Sequence, residues 1–235
     1  MVAPAAAVVI VAATLTLKSD TKPVTVYIQK PRGTLYWGGA GLDGDYIQPQ
    51  LQAFIKAGIK NVNAGLTNTG GHGLPKFAKP IGTLIDAIRA GLPIRYEDGG
   101  EWTISKGMDA KEGQFNLIGY SYGSLLAAQT AHFYAKQGHI IDHLVLIASP
   151  IDADFLAKLQ NSKNIRKVTV INLTDKGDPL YAGISQMALF ESIPKLSSQF
   201  ASKKGEGHFY YADVIPNSSQ RWKALAEKVF NEGVR

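Results

Sequence analysis

One serine in this chain stands where a nucleophile would have to stand. Ser121 lies in Gly119-Tyr120-Ser121-Tyr122-Gly123, a G-x-S-x-G pattern, with the apolar run Phe115-Asn116-Leu117-Ile118 before it and a helix-forming run after it. A strand that turns sharply into a helix at this pattern presents the serine hydroxyl at the strand's end, and the flanking glycines remove side chains that would strike the neighbouring strand and helix. The helix start brings amide hydrogens and a positive partial charge toward any developing oxyanion. The same serine could simply cap the helix; the strand before it and the helix after it favour the nucleophile.

A serine hydroxyl is a weak nucleophile without a base. The chain has five histidines: His72, His132, His139, His143 and His208. In this strand–turn–helix context an acid and then a histidine follow the serine along the chain. His132 falls inside the helix that leaves the turn, and His139 and His143 stand before and at the start of the next strand. His208 sits in Gly205-Glu206-Gly207-His208-Phe209, a glycine-flanked loop before the last helix. A mobile loop there could swing its imidazole over Ser121; a plain surface histidine is the alternative. The acid should follow a buried strand. Residues 168–173 form one, and Thr174-Asp175-Lys176-Gly177-Asp178-Pro179 comes next. Asp178 is preferred, to hold the imidazole tautomer and stabilise the imidazolium. Asp175 remains the alternative and could instead bond within the turn.

The oxyanion hole needs two amides. One is expected from Tyr122 and the other from the loop after an early strand, Tyr36-Trp37-Gly38-Gly39-Ala40-Gly41-Leu42-Asp43-Gly44. Ala40 is chosen as the second donor. Gly39 and Gly41 stand close behind it and would let backbone approach a substrate. Tyr120 and Tyr122 are expected to line the entrance. No Gly-Lys-Ser/Thr follows these glycines, so a phosphate cradle is not supported. His72, in Gly-Gly-His-Gly, has no partner at metal-ligand spacing. Neither metal nor cofactor is expected.

The elements that must carry these groups are legible as apolar strands alternating with amphipathic helices. Strands are expected at 24–29, 34–37, 60–64, 115–119, 143–148 and 168–173. Helices are expected at 46–57, 81–90, 124–137, 153–159 and 218–231. Residues 93–113 read as turn-rich. Such alternation implies an α/β fold, a mostly parallel central sheet with helices on both faces. Of the 235 residues 45% are apolar, enough for one substantial core. The domain plan is an apolar N-terminal segment at 1–23 and a catalytic domain at 24–235, with a cap region at 65–113. That cap carries Leu74, Phe77, Ile81, Leu84, Ile85 and Trp102, which suit an acyl chain or an ordinary core equally.

There is no cysteine, which excludes disulfides, thiolate catalysis and Cys-based zinc sites. The net charge of +6 is scattered. It lacks the dense stripe of a nucleic-acid binder, so no nucleic-acid partner is expected, and it is compatible with an anionic membrane surface. Residues 2–17 carry no charge. They lack the basic start of a secretory signal and are shorter than the roughly 20 residues that span a bilayer. A buried strand or hairpin is favoured, ahead of the end of a membrane segment in a longer parent chain and an atypical signal.

With these residues in view, the chain resembles the α/β-hydrolase family. Gly119-Tyr120-Ser121-Tyr122-Gly123 matches the nucleophile elbow, Gly177-Asp178-Pro179 the acid loop, Gly207-His208-Phe209 the histidine loop, and Gly38-Gly39-Ala40-Gly41 the place of the oxyanion turn. Many members have His-Gly at that turn, where this chain has Gly38-Gly39, so the second amide stays open. More narrowly, the uncharged N-terminal run before a compact hydrolase resembles bacterial lipase-like members, including antibacterial phospholipase toxins. That resemblance implies a secreted or membrane-associated bacterial protein. The expected activity is hydrolysis of carboxylic esters, lipid or phospholipid acyl esters first, through an acyl-enzyme on Ser121. An esterase, thioesterase or acyltransferase on small substrates, or a binding protein without turnover, are the alternatives.

Overall fold

The computed structural model describes residues 26–28, 31–39, 45–64, 102–104, 111 and 113–235. The N-terminal segment, the expected helix at 81–90, most of the expected cap, His72, Ala40 and Gly41 lie outside the described residues. Along the chain run β1 (Val26–Ile28), β2 (Gly33–Trp37), α1 (Ile47–Lys56), β3 (Val62–Ala64), β4 (Trp102–Ile104), β5 (Phe115–Tyr120) and α2 (Tyr122–Lys136). They are followed by β6 (His143–Ile147), α3 (Ala153–Gln160), β7 (Val168–Ile171), α4 (Gln186–Glu191), α5 (Ile193–Ser202) and α6 (Ser218–Asn231).

The main sheet has the order β3-β2-β5-β6-β7, and every neighbouring pair is parallel. Its side chains divide by the period of two that a pleated strand imposes. Leu35, Trp37, Leu117, Leu144 and Leu146 face one way and pack with Leu125, Ala128 and Leu159 of α2 and α3. Tyr36, Ile118, Tyr120, Val145 and Ile147 face the other way and pack with Phe54 of α1 and Trp222, Leu225 and Val229 of α6. Helices thus cover both faces, which explains why β5 is buried along its whole length. Each large apolar side chain buried this way contributes about 1.5–3 kcal/mol.

Local chemistry sets the element ends. Pro49 stands in the first turn of α1, where its missing N–H leaves no helical bond unmade. After α1 the chain turns at Gly58, whose φ of +101° suits glycine. Asp152 caps α3, accepting from the Phe155 amide at 2.8 Å.

Three regions differ from the sequence reading. β4 forms inside the turn-rich stretch, because pairing with β1 extends a segment too short to carry a pattern of its own. Helices α4 and α5 fill 186–202, which the periodicity left unassigned. Each is short, and they close over a separate small core of Leu180, Ile184, Leu189 and Leu196. Helix α2 begins at Tyr122 rather than 124, so Ser121 stands at its N-cap position, where its side chain makes no capping bond.

The strand order also decides where a site can form. β2 and β5 are neighbours, but the chain leaves β2 toward β3 and leaves β5 toward β6. A crevice opens beyond the carboxyl ends of such a pair, where the winding reverses. Gly38-Gly39 follows β2 there, and Ser121 follows β5.

Candidate active site

The turn at Ser121 is the strained kind that the glycine pattern requires. Ser121 has φ 54° and ψ −123°, a conformation that costs a residue with a side chain on the order of 1–3 kcal/mol. A Cβ on Gly119 would lie 2.2 Å from the carbonyl oxygen of Gly123, and one on Gly123 would lie 2.1 Å from that of Gly38. Either would force strand and helix apart. The Ser121 amide donates to the Ile147 carbonyl at 2.8 Å. Its own carbonyl accepts from the Ser124 amide at 3.0 Å and from the Ser124 hydroxyl. Ser149 Oγ lies 2.7 Å from Ser124 Oγ and accepts from the Ile151 amide at 3.3 Å. A hydroxyl has one proton to give. Ser124 gives its proton to Ser121, so Ser149 must give its proton to Ser124. A buried relay therefore pins the elbow from beneath.

His208 Nε2 is 2.6 Å from Ser121 Oγ, and His208 Nδ1 is 2.9 Å from Asp178 Oδ2. A carboxylate can only accept, so Nδ1 carries the proton and Nε2 is left to accept from the serine hydroxyl. Asp178 Oδ1 accepts from the Leu180 amide at 2.8 Å, which fixes the carboxylate plane. Asp178 is 4% exposed and His208 6%. His208 sits in a 3-10 turn, Gly207–Phe209, with its ring buried rather than at the surface.

Tyr120 and Tyr122 do not line an entrance as expected. Both are buried. The Tyr120 ring is stacked beside the His208 ring, with centroids 6.0 Å apart and planes 19° from parallel, and its hydroxyl donates to the His208 carbonyl. Burial, reinforced by nearby Tyr46 and Asp178, pushes the Tyr120 phenol well above its ordinary pKa, so it keeps the proton it donates. Tyr122 packs its side chain into the core beside Leu125, while its backbone opens α2.

Gly39 comes against the nucleophile: a Cβ there would lie 3.3 Å from Ser121 Cβ. Its amide donates to the Tyr46 hydroxyl at 2.6 Å, and a Cβ on Gly38 would lie 2.8 Å from that oxygen. Tyr46, which precedes α1, thus holds the glycine turn down. It was not singled out from the sequence, since nothing local marks a tyrosine seven positions away as a partner of Gly39. Ser124 and Ser149 were missed for the same reason.

The other candidates lie elsewhere. Asp175 is exposed and pairs with Lys176 at 2.8 Å, a bond that holds its carboxyl below the ordinary range. His132 packs edge-on against Phe155, and His139 against Tyr134. His143 begins β6, at the end of the strand away from Ser121. Among the described residues no group of three or more His, Cys, Asp or Glu could hold a metal ion. No helix among them is long and apolar enough to cross a membrane.

Residues 108–196, under half of the chain, match the family model of the thioesterase domain. The matched stretch holds β5, the elbow at Ser121, β6, β7 and Asp178, and stops short of His208. No curated protein matches the chain. Parallel sheet, two helical layers and this match together give the α/β-hydrolase fold. The matched model is one of thioesterases rather than of lipases or phospholipase toxins.

Proposed function

We propose that this chain hydrolyses acyl esters and thioesters through an acyl-enzyme on Ser121, with His208 as general base and acid and Asp178 as its orienting carboxylate. The observation that carries the reading is the unbroken chain from Ser121 Oγ to His208 Nε2 at 2.6 Å and from His208 Nδ1 to Asp178 Oδ2 at 2.9 Å. Ser121 Oγ attacks the acyl carbon while its proton passes to His208 Nε2. The oxyanion forms beside the first amide of α2, that of Tyr122, and the second donor falls to the loop after Gly39, with Ala40 first in line. As the tetrahedral centre collapses, His208 returns the proton to the departing alcohol or thiolate. Water then gives His208 a proton as its oxygen attacks the acyl carbon. The ester bond to Ser121 breaks as His208 returns that proton to Ser121 Oγ, and a carboxylic acid leaves.

The match over 108–196 favours a thioester. A lipid-derived acyl group is favoured by apolar surface close to the base: Phe200 is 41% exposed and packs on Phe209, whose ring meets His208 at 5.4 Å. The test compares an acyl N-acetylcysteamine thioester, the matching p-nitrophenyl ester and phospholipid vesicles, for wild type and Ser121→Ala. Wild-type turnover of the first two, rising with acyl length and lost in the variant, is expected. Release of fatty acid from vesicles would add phospholipids to the substrates. A folded wild type that cleaves none of the three would sink the hydrolase reading in favour of a binding role on the same fold.

A further inference from the structure

We infer that Gln199 is a positioning residue that sets the spacing of the acid and the base. The inference rests on the reading of Asp178 and His208 as members of a catalytic triad. Gln199 stands in α5, between them in the chain, and it is 8% exposed. Its Nε2 donates to the Gly177 carbonyl at 3.0 Å, one residue before the acid. Its Oε1 accepts from the His208 amide at 3.0 Å, on the base itself. One side chain therefore spans the two loops whose separation decides whether His208 Nδ1 reaches Asp178.

The chemistry of the contact suits a primary amide. One end must donate to a carbonyl and the other must accept from an N–H, and Gln supplies both from two atoms of one neutral planar group. Asn is one methylene shorter. The backbone has been shaped to admit this side chain. Gly207 has φ +56°, a conformation that favours glycine, and a Cβ built on it would lie 2.0 Å from Gln199 Nε2, so a side chain there would displace the amide.

The result is a base whose main chain is held on both sides. Gln199 takes the His208 N–H and the Tyr120 hydroxyl donates to the His208 carbonyl. Helix α5 is tied to the acid loop by packing as well: Leu196 shares a small core with Leu180. Proton transfer tolerates about 0.5 Å of misplacement, and about 1 Å can cost on the order of 100-fold in rate. A clamp across the two loops therefore acts on kcat rather than on substrate affinity.

The test uses the full chain with Gln199→Met, which keeps the length and removes both polar contacts. Gln199→Glu serves as a second variant, keeping an acceptor toward the His208 amide and losing the donor to Gly177. Three readouts are taken: kcat and KM on the thioester, the pH profile of kcat/KM, and the downfield proton resonance of His208 Nδ1–H. For Gln199→Met we expect kcat to fall about 10- to 100-fold with KM within about threefold. The acidic limb should move to lower pH, because the imidazolium loses part of its contact with Asp178, and the resonance should broaden or vanish. Gln199→Glu should fall between wild type and Gln199→Met. A folded variant with wild-type kcat and an unchanged resonance overturns the inference. If wild type turns over nothing, the hydrolase reading fails. The resonance then decides the clamp by itself: lost in the variants, the clamp stands; unchanged, it falls.

Discussion

The two ends of the main sheet are built from the same strands and do different work. At the carboxyl ends, two adjacent non-glycine residues sit in the left-handed region: Ser121 after β5 has φ 54° and Ala148 after β6 has φ 47°. Around them lie buried polar side chains bonded to one another, among them Ser124, Ser149, Asp178 and His208. At the amino ends Asn61, just before β3, also has a positive φ of 47°, but asparagine tolerates that region, and the fastening is conventional. Asp142 accepts from the Phe115 amide at 2.8 Å and from Arg166 at 2.5 Å. Gln114 donates to the Gly233 carbonyl at 3.1 Å and accepts from the Arg235 amide at 2.8 Å, and Lys167 pairs with Glu232 at 2.8 Å. The difference separates strain from support. The end that carries the chemistry holds a costly backbone in place through buried relays, while the far end contributes ordinary bonds near solvent that let the sheet bear the cost.

That contrast is broken most severely by Ser121→Ala, which should lower kcat roughly 10⁴- to 10⁶-fold with little loss of stability, and His208→Ala should match it. Steady-state kinetics beside a thermal melt would check both, and retained activity in folded His208→Ala would remove the histidine from its role. Next comes Asp178→Asn, expected to lower kcat about 10⁴-fold, against a change of no more than a few-fold for Asp175→Asn. The reverse order would move the acid to Asp175. At the other end of the sheet, Asp142→Ala should strip the Phe115 amide of its acceptor and cost about 1–3 kcal/mol of stability by denaturant titration, with kcat unchanged. A fall in kcat there would show that the two ends are not independent.

The smallest effect concerns pH. Burial, with Lys167 and Arg235 adding to it and Asp142 opposing, holds the His143 imidazole below its ordinary value. The folded chain therefore refuses a proton that the unfolded chain accepts. Stability from this group is full above about pH 6.5 and is lost as pH falls through the lower folded value. His143→Leu should make the acid-side fall in Tm shallower while leaving the neutral-pH activity alone. An unaltered slope would show that His143 does not govern the fall, and His132, lowered by burial in the same direction, would be the next histidine to replace.

How much of this was legible depends on how locally each feature is encoded. The largely apolar runs at β5, β6 and β7 and the glycines around Ser121 are properties of neighbouring residues, so the parallel sheet and the elbow could be read directly. Asp178 and His208 could be picked by order along the chain, but the choice between Asp178 and Asp175 rested on preference. The pairing of Asp175 with Lys176 and the burial of Asp178 separate them in space. Tyr120 was misjudged because a tyrosine beside a nucleophile looks like a lining residue, and its burial depends on the whole face that packs with α1 and α6.

By itself, the sequence determined that β6 is buried on both faces, where the chain must turn at glycine, and which serine lies at a strand end, although β7, read as a buried strand, alternates buried and part-exposed residues. These follow from steric rules acting over a few residues. Only the tertiary structure decided that Tyr46 holds Gly39, that Ser149 supports Ser121 through Ser124, and that Gln199 reaches both Gly177 and His208. Those contacts join separate elements, and a side chain's partner across such a gap is chosen by packing of the two helical layers rather than by spacing along the chain.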